Sequence, residues 1–227
     1  MLSQNLREVE SNINTACERV GRARESVTLI AVSKTQPVSA IEEAYALGIR
    51  DFGENKVKEM LGKEPQLPAD IRWHLIGHLQ TNKVKSVLSN TVLIHSLDSL
   101  KLLDAVDFEA MKQKITVEGL LEVNVAEEES KFGFHPSELW ELLTRLRQYK
   151  NLKIRGLMTV APFTTNPEDN REIFRKMNEI SIDTKWNTLD NISMDILSMG
   201  MTGDYSVAIE EGATMVRVGT GLFGARA

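Results

Sequence analysis

The chain has 227 residues, 42% of them apolar, and a formal net charge of −5 at neutral pH. That length and apolar share support a full core, either one α/β barrel or two small domains, and an acidic chain with scattered Lys and Arg lacks the basic stripe or tail that a nucleic-acid or anionic-membrane partner needs. A single cysteine, Cys17, excludes an internal disulfide framework, and with neither an apolar N-terminal leader nor an apolar run of about 18 residues the chain is expected to be cytoplasmic and to serve a small molecule.

From about Leu2 to Gly21, apolar side chains at Leu6, Val9, Ile13, Ala16, Cys17 and Val20 recur at helical spacing, and Gly21 suits a left-handed cap. Cys17 falls inside that pattern and reads as a packing residue. Short β-branched runs then follow near 27–33, 49–53, 71–76, 92–95, 115–124, 153–159, 193–198 and 214–218, separated by amphipathic segments of helical period. Eight such units with short connections predict a closed, parallel (β/α)8 TIM-type barrel with an extra N-terminal helix, rather than a doubly wound sheet. Ala161-Pro-Phe-Thr-Thr-Asn-Pro167 reads as a loop running into a helix start. No Pro/Ser linker, low-complexity tract or charge block divides the chain, so residues 1–227 are read as one domain.

Barrels of this kind place their active sites at the C-terminal ends of the strands and commonly bind phosphate with the loops after strands seven and eight. Lys34 closes the run Val27-Thr-Leu-Ile-Ala-Val-Ser-Lys34 at such an end. A desolvated lysine titrates lower than a solvated one and can be a neutral nucleophile toward an aldehyde near neutral pH. Taken alone, a strand-end lysine is far more often a solvated edge residue. Strand seven runs into Ser198-Met-Gly-Met-Thr-Gly-Asp204 ahead of a helical pattern, and strand eight runs through Met215-Val-Arg-Val-Gly219 into Thr220-Gly221. Small residues, hydroxyls and free helix-start N–H groups are what a phosphate dianion needs, although either turn by itself is also ordinary loop punctuation. Alternation puts Thr28, Ile30, Val32 and Lys34 on one face of strand one, and Met215, Arg217 and Gly219 on one face of strand eight. If both faces point inward, Lys34 and Arg217 meet at the barrel mouth; otherwise Arg217 is a structural ion-pair partner. A ligand with an aldehyde, a phosphate and an aromatic ring satisfies these features together, and pyridoxal 5′-phosphate is that ligand.

Two other patterns lead nowhere. Residues 219–224, Gly-Thr-Gly-Leu-Phe-Gly, match the GxGxxG of dinucleotide-binding folds, but that pattern needs a following helix and an acidic residue about 20 positions on, and the sequence stops at Ala227. His74 and His78 are four apart but bracket a strand end rather than sharing a helix face, so no metal site is expected.

Val32-Ser-Lys34-Thr-Gln-Pro37, Phe52-Gly-Glu-Asn55, Trp73-His-Leu-Ile-Gly-His-Leu-Gln-Thr-Asn-Lys83, Ser130-Lys-Phe-Gly133, Gly156-Leu-Met158, Leu197-Ser-Met-Gly-Met-Thr-Gly-Asp204 and Arg217-Val-Gly-Thr220 together resemble the signature segments of the pyridoxal phosphate homeostasis proteins. The resemblance spans essentially the whole chain and implies a barrel similar to the N-terminal barrel of alanine racemase, the type III-like cofactor fold. It implies that Lys34 forms the internal aldimine, that Ser198, Gly200, Met201, Thr202, Gly219 and Thr220 hold the phosphate, and that Arg217 faces the pyridine nitrogen. Thr202 stands where the family often has serine and keeps the hydroxyl. Asn55 and His78, in the loops after strands two and three, fall at the cofactor's rim, or else are capping and loop residues.

An arginine keeps its proton, so an arginine donor at the ring nitrogen leaves that nitrogen unprotonated and the ring a weak electron sink. By the same resemblance, racemases with this arrangement add a second base, a tyrosine from a partner subunit. Here Tyr45, Tyr149 and Tyr205 stand in no racemase context, Val38 replaces a phosphate-contacting tyrosine, and no second β-rich domain follows. The expectation is therefore a monomeric cofactor-binding protein without efficient catalysis, which holds pyridoxal phosphate and can deliver it to apo-enzymes, with a role in cofactor, amino-acid and keto-acid homeostasis. A cytosolic amino-acid racemase is the alternative, and a phosphosugar-binding barrel enzyme in which Lys34 forms a Schiff base with the sugar is a third.

Overall fold

The computed structural model of the chain describes residues 1–128, 132–185 and 190–224. Eight strands form a closed barrel in chain order: β1 (Thr28–Val32), β2 (Asp51–Glu54), β3 (Arg72–Leu75), β4 (Leu93–Leu97), β5 (Val117–Glu122), β6 (Leu152–Met158), β7 (Ile192–Met201) and β8 (Met215–Val218). All neighbours pair in parallel, and β8 closes on β1 with Thr28 opposite Met215 and Ile30 opposite Arg217. Every expected strand is present. Most ends differ from the sequence reading by a residue or two, and two of these bear on the site: β1 stops at Val32, two residues before Lys34, and β7 continues to Met201.

Helices α1 (Leu2–Arg19), α2 (Val38–Ala46), α3 (Val57–Lys63), α4 (Val84–Val87), α5 (Leu100–Gln113), α6 (Leu139–Leu146), α7 (Arg171–Lys185), α8 (Tyr205–Glu210) and α9 (Thr220–Phe223) lie between and around the strands. The N-terminal helix α1 buries Leu2, Val9, Ile13, Ala16 and Cys17, and ends where Gly21 takes φ +67°, the left-handed conformation expected of it. Gly219 caps the four-residue α9, and the strand before it belongs to a closed barrel, so the Gly219–Gly224 run is part of no open dinucleotide-binding sheet.

The apolar interior has two parts. Phe52, Trp73, Leu75, Ile94, Leu121 and Leu157 belong to the large core between strands and helices, whereas Leu93, Leu120 and Met158 form a small separate cluster with Val160, Ile196 and Met215 packed on it. Because side chains alternate along a strand, this second set marks the inward-facing positions. Other inward positions are polar: His74, His95, Ser198 and Arg217 are all buried. Burial of so many hydrogen-bonding groups in a barrel axis costs stability unless each is paired, which makes it a functional signature rather than a packing solution. Gly156, at φ +151°, is required where β6 and β7 crowd together, since a Cβ there would lie 1.8 Å from the Ile196 carbonyl oxygen. Among the described residues, no helix is long and apolar enough to cross a membrane, and no group of three or more His, Cys, Asp or Glu is placed to hold a metal ion.

Candidate functional site

Lys34 lies half-buried in the turn after β1, so its direction is set by that turn and not by strand alternation. The turn is clamped on both sides of the lysine. Lys63, the last residue of α3, donates from Nζ to the Ser33 carbonyl at 2.9 Å, to Glu54 Oε1 at 2.8 Å and to Glu59 Oε1 at 2.7 Å. Ser33 Oγ donates to the same Glu54 oxygen at 2.7 Å, and the Thr35 N–H donates to Glu59 Oε1 at 2.5 Å. Thr35 itself sits at φ +64°, a conformation that a β-branched residue adopts only when its surroundings impose it.

Next to this turn lies the start of α9. A Cβ on Gly219 would meet Val32 first, at 3.5 Å, and the N–H groups of Gly219 and Gly221 both donate to Thr202 Oγ1, at 3.2 and 3.3 Å. Two backbone donors converging on one oxygen make the kind of nest that holds an anionic phosphate oxygen. Thr202 thereby ties the loop after β7 to the turn after β8. Asp204 shapes the first of these loops: its Oδ1 accepts the Met201 N–H at 2.7 Å, and its Oδ2 accepts Asn170 Nδ2 at 2.8 Å. Gly200 turns the chain at φ +88°, while Thr220 is exposed at the first position of α9.

Arg217 points into the barrel, 4% exposed, with Nη1 donating to Ser198 Oγ at 2.5 Å and Nη2 to the Thr159 carbonyl at 2.8 Å. Burial pulls its guanidinium down to about 10, against the opposing charges of Glu122 and Asp204, so it stays protonated at neutral pH. Ser198 lies three positions before the end of β7, and its hydroxyl is engaged by Arg217 and by His95 Nδ1 at 3.0 Å.

Of the two rim residues, Asn55 is half-buried in the loop after β2, its backbone so close to Gly77 that a Cβ on that glycine would lie 2.5 Å from the Asn55 carbonyl oxygen. His78 is exposed in the loop after β3, with Nδ1 2.6 Å from Asp98 Oδ2 and its ring stacked on Phe132 at 4.0 Å. His74 is separated from it, buried inside the barrel. Ser130 and Lys131 of the fourth motif lie outside the described residues.

Three elements of the site escaped sequence reasoning: His95, Glu122 and the Glu54–Lys63–Glu59 clamp. Glu122 shares the inward parity of Leu120 at the C-terminal end of β5. Burial pushes its carboxyl up to about 7, with Asp98 adding to the effect and Arg217 and His78 opposing it. An acid at the end of an inward-facing strand register is a readable signal once the barrel is assumed, and His95, two residues after inward-facing Leu93, carries the same one.

Residues 4–227 match the family model described as alanine racemase, N-terminal domain. The chain is 46% identical over 224 residues to the pyridoxal phosphate homeostasis protein of Aquifex aeolicus, covering 98% of this chain and 97% of that one, and 39% identical over 227 residues to that of Pseudomonas aeruginosa, covering 99% and 96%. Among solved structures it is similar to PipY of Synechococcus elongatus with PLP bound, at TM-score 0.85 and 34% identity over 99% of this chain and 100% of that one. On this evidence of sequence and fold, the chain belongs to the pyridoxal phosphate homeostasis proteins, within the family of the alanine racemase N-terminal domain.

Proposed function

We propose that the chain binds pyridoxal 5′-phosphate at the C-terminal mouth of its barrel and holds it for cofactor homeostasis rather than for efficient turnover. Bound there, the cofactor supplies an electrophilic aldehyde and an electron-withdrawing ring. The donor set suits it: Lys34 in a clamped turn for the aldehyde, the Gly219 and Gly221 amides with Gly200, Met201, Thr202 and Thr220 around the phosphate, and Arg217 for the ring nitrogen. Asn55 and His78 line the rim, and Ser198, counted with the phosphate residues from the sequence, is turned instead to Arg217 on the ring-nitrogen side. Relatives bearing the homeostasis name, and the PLP-bound PipY, support the cofactor's identity.

Arg217 carries the reading that turnover is inefficient. A buried guanidinium that remains protonated can only donate, so the ring nitrogen facing it stays unprotonated and withdraws electrons weakly. The tyrosines offer no second base: Tyr45 donates its hydroxyl to Asp70, Tyr149 donates to Asp104, and Tyr205 accepts from Asn12. In this reading the chain works as a cytoplasmic monomer and passes the cofactor to apo-enzymes.

Borohydride reduction of the cofactor-loaded chain, followed by peptide mapping, should place the pyridoxyl group on Lys34. A label on Lys56 or Lys83 instead overturns the assignment. Pyridoxal without its phosphate should bind orders of magnitude more weakly, because each lost charge-assisted hydrogen bond is worth about 1.5–3 kcal/mol. Equal affinities for the two would overturn the phosphate site.

A further inference from the structure

We propose that Ser198, His95, His74 and Asp51 form a one-way hydrogen-bond relay across the barrel interior that locks the Arg217 guanidinium in place, making His95 and His74 positioning residues for the group that meets the ring nitrogen. The assignment of Arg217 to that nitrogen rests on the proposed function; the relay itself rests on geometry alone.

Five side chains from five strands are joined end to end. Arg217 Nη1 lies 2.5 Å from Ser198 Oγ, Ser198 Oγ lies 3.0 Å from His95 Nδ1, His95 Nε2 lies 3.0 Å from His74 Nδ1, and His74 Nε2 lies 3.1 Å from Asp51 Oδ1. The two imidazole rings meet edge-on, with centroids 5.2 Å apart. Ser198 and His95 are 0% exposed and His74 2%, so these polar atoms have no recourse to water and must satisfy one another.

The direction of the chain starts from Asp51. Burial alone would raise Asp51, but hydrogen bonds from His74 and Arg72 outweigh it and hold the carboxyl at about 2. An ionised carboxylate only accepts, so His74 Nε2 carries a proton. The relay assigns His74 the Nε2–H tautomer, whose Nδ1 accepts, so the proton between the rings belongs to His95 Nε2. Burial above all disfavours a cationic His95, so with its Nε2 protonated its Nδ1 is bare and the Ser198 hydroxyl is obliged to donate to it. Ser198 Oγ thus points its hydrogen at His95 and its lone pairs at Arg217. With Nη2 anchored on the Thr159 carbonyl, two fixed acceptors define the plane of the guanidinium.

Long-range nitrogen–proton NMR on the 15N-labelled, cofactor-free full chain tests this, with the four histidines assigned by single His→Gln variants. Both His74 and His95 should appear as neutral rings protonated at Nε2 and bare at Nδ1. A proton on Nδ1 of either ring would mean a reversed or broken chain and overturns the relay, whether or not the protein binds the cofactor. The second measurement uses pyridoxal 5′-phosphate itself. His95→Leu, which removes the acceptor, should weaken binding about tenfold and shift the visible absorption band, while His95→Asn, whose side-chain oxygen can replace Nδ1, should restore both. Unchanged affinity and spectrum in His95→Leu overturn the positioning role. If the parent chain takes up no pyridoxal 5′-phosphate, the proposed function fails, and the imidazole signals still decide the relay.

Discussion

Glu54 and Lys63 form an ion pair at 2.8 Å that is sealed between β2 and α3, with Glu54 0% and Lys63 8% exposed, directly against the turn that bears Lys34. The pair reaches the lysine through both of its neighbours, the Ser33 carbonyl and, by way of Glu59, the Thr35 amide. Burial raises the Glu54 carboxyl, and the hydrogen bonds from Lys63 and Ser33 only partly offset it.

Removing one member of such a pair leaves an uncompensated buried charge, so Lys63→Met should cost about 3–5 kcal/mol of unfolding free energy in urea titration. Without Lys63 the raised carboxyl of Glu54 rises further and takes up a proton more readily. The deficit should therefore shrink as pH falls. A variant as stable as the parent at neutral pH, with unchanged affinity for pyridoxal 5′-phosphate, would show that the clamp is ornamental.

Two glycines at the proposed phosphate site should separate folding from binding. At Gly200, with φ +88°, an added Cβ would lie 2.6 Å from Ala208 Cβ, and Gly200→Ala should destabilise the chain by about 1–3 kcal/mol. At Gly219 the backbone has φ −109° and the nearest atom to an added Cβ is 3.5 Å away, ordinary contact. Gly219→Ala should melt with the parent yet bind pyridoxal 5′-phosphate more weakly, because the methyl narrows the approach to the converging amides. Unchanged affinity would place the phosphate elsewhere.

The strands were legible because each is a short apolar run flanked by helical-period segments, and alternation then put Arg217 on one face with Met215 and Gly219 without saying whether that face points inward; the contacts with Ser198 and the Thr159 carbonyl do. Lys34 was found for a reason that holds only in part: alternation was extended through it, whereas β1 ends at Val32 and the clamped turn decides its direction. The clamp was invisible because no periodic rule joins a strand-end acid to the last residue of the next helix. Ser198 and Thr202 sit four apart in one Gly-rich segment and look equivalent as hydroxyls. Only the continuation of β7 to Met201 distinguishes them, placing Ser198 inside against Arg217 and Thr202 in the loop against Gly219 and Gly221.

Glu122 should leave a mark on the pH dependence of stability. Its folded pKa of about 7 lies above the ordinary 4.5, so its stabilising contribution is complete below about 4.5 and is lost as pH rises through 7. A shift of that size corresponds to about 3 kcal/mol. Asp51, held at about 2 against an ordinary 3.8, acts with the opposite sign and only at more acid pH, so the two windows do not overlap. Urea titrations of the cofactor-free chain across this range should show the loss, and Glu122→Gln should flatten it. A parent and variant with parallel profiles would place Glu122 in contact with water.

The choice between holding the cofactor and racemising amino acids turns on proton removal from the α-carbon. Arg217 disfavours it electronically, and all three tyrosine hydroxyls are engaged with other residues, Tyr45 with Asp70, Tyr149 with Asp104 and Tyr205 with Asn12. Incubation of the cofactor-loaded chain with L-alanine or L-serine in deuterated water measures this step even when no product accumulates, since any reversible proton loss would put deuterium on the α-carbon. Negligible exchange is expected, together with faster activation of an added apo-enzyme by the loaded chain than by the same amount of free pyridoxal 5′-phosphate. Rapid exchange with appearance of the D-isomer would instead make the chain a racemase, and would point to Glu122, the inward-facing carboxyl poised near neutrality, as the base the tyrosines do not provide. Absence of both exchange and transfer would reduce the function to binding and buffering of the cofactor.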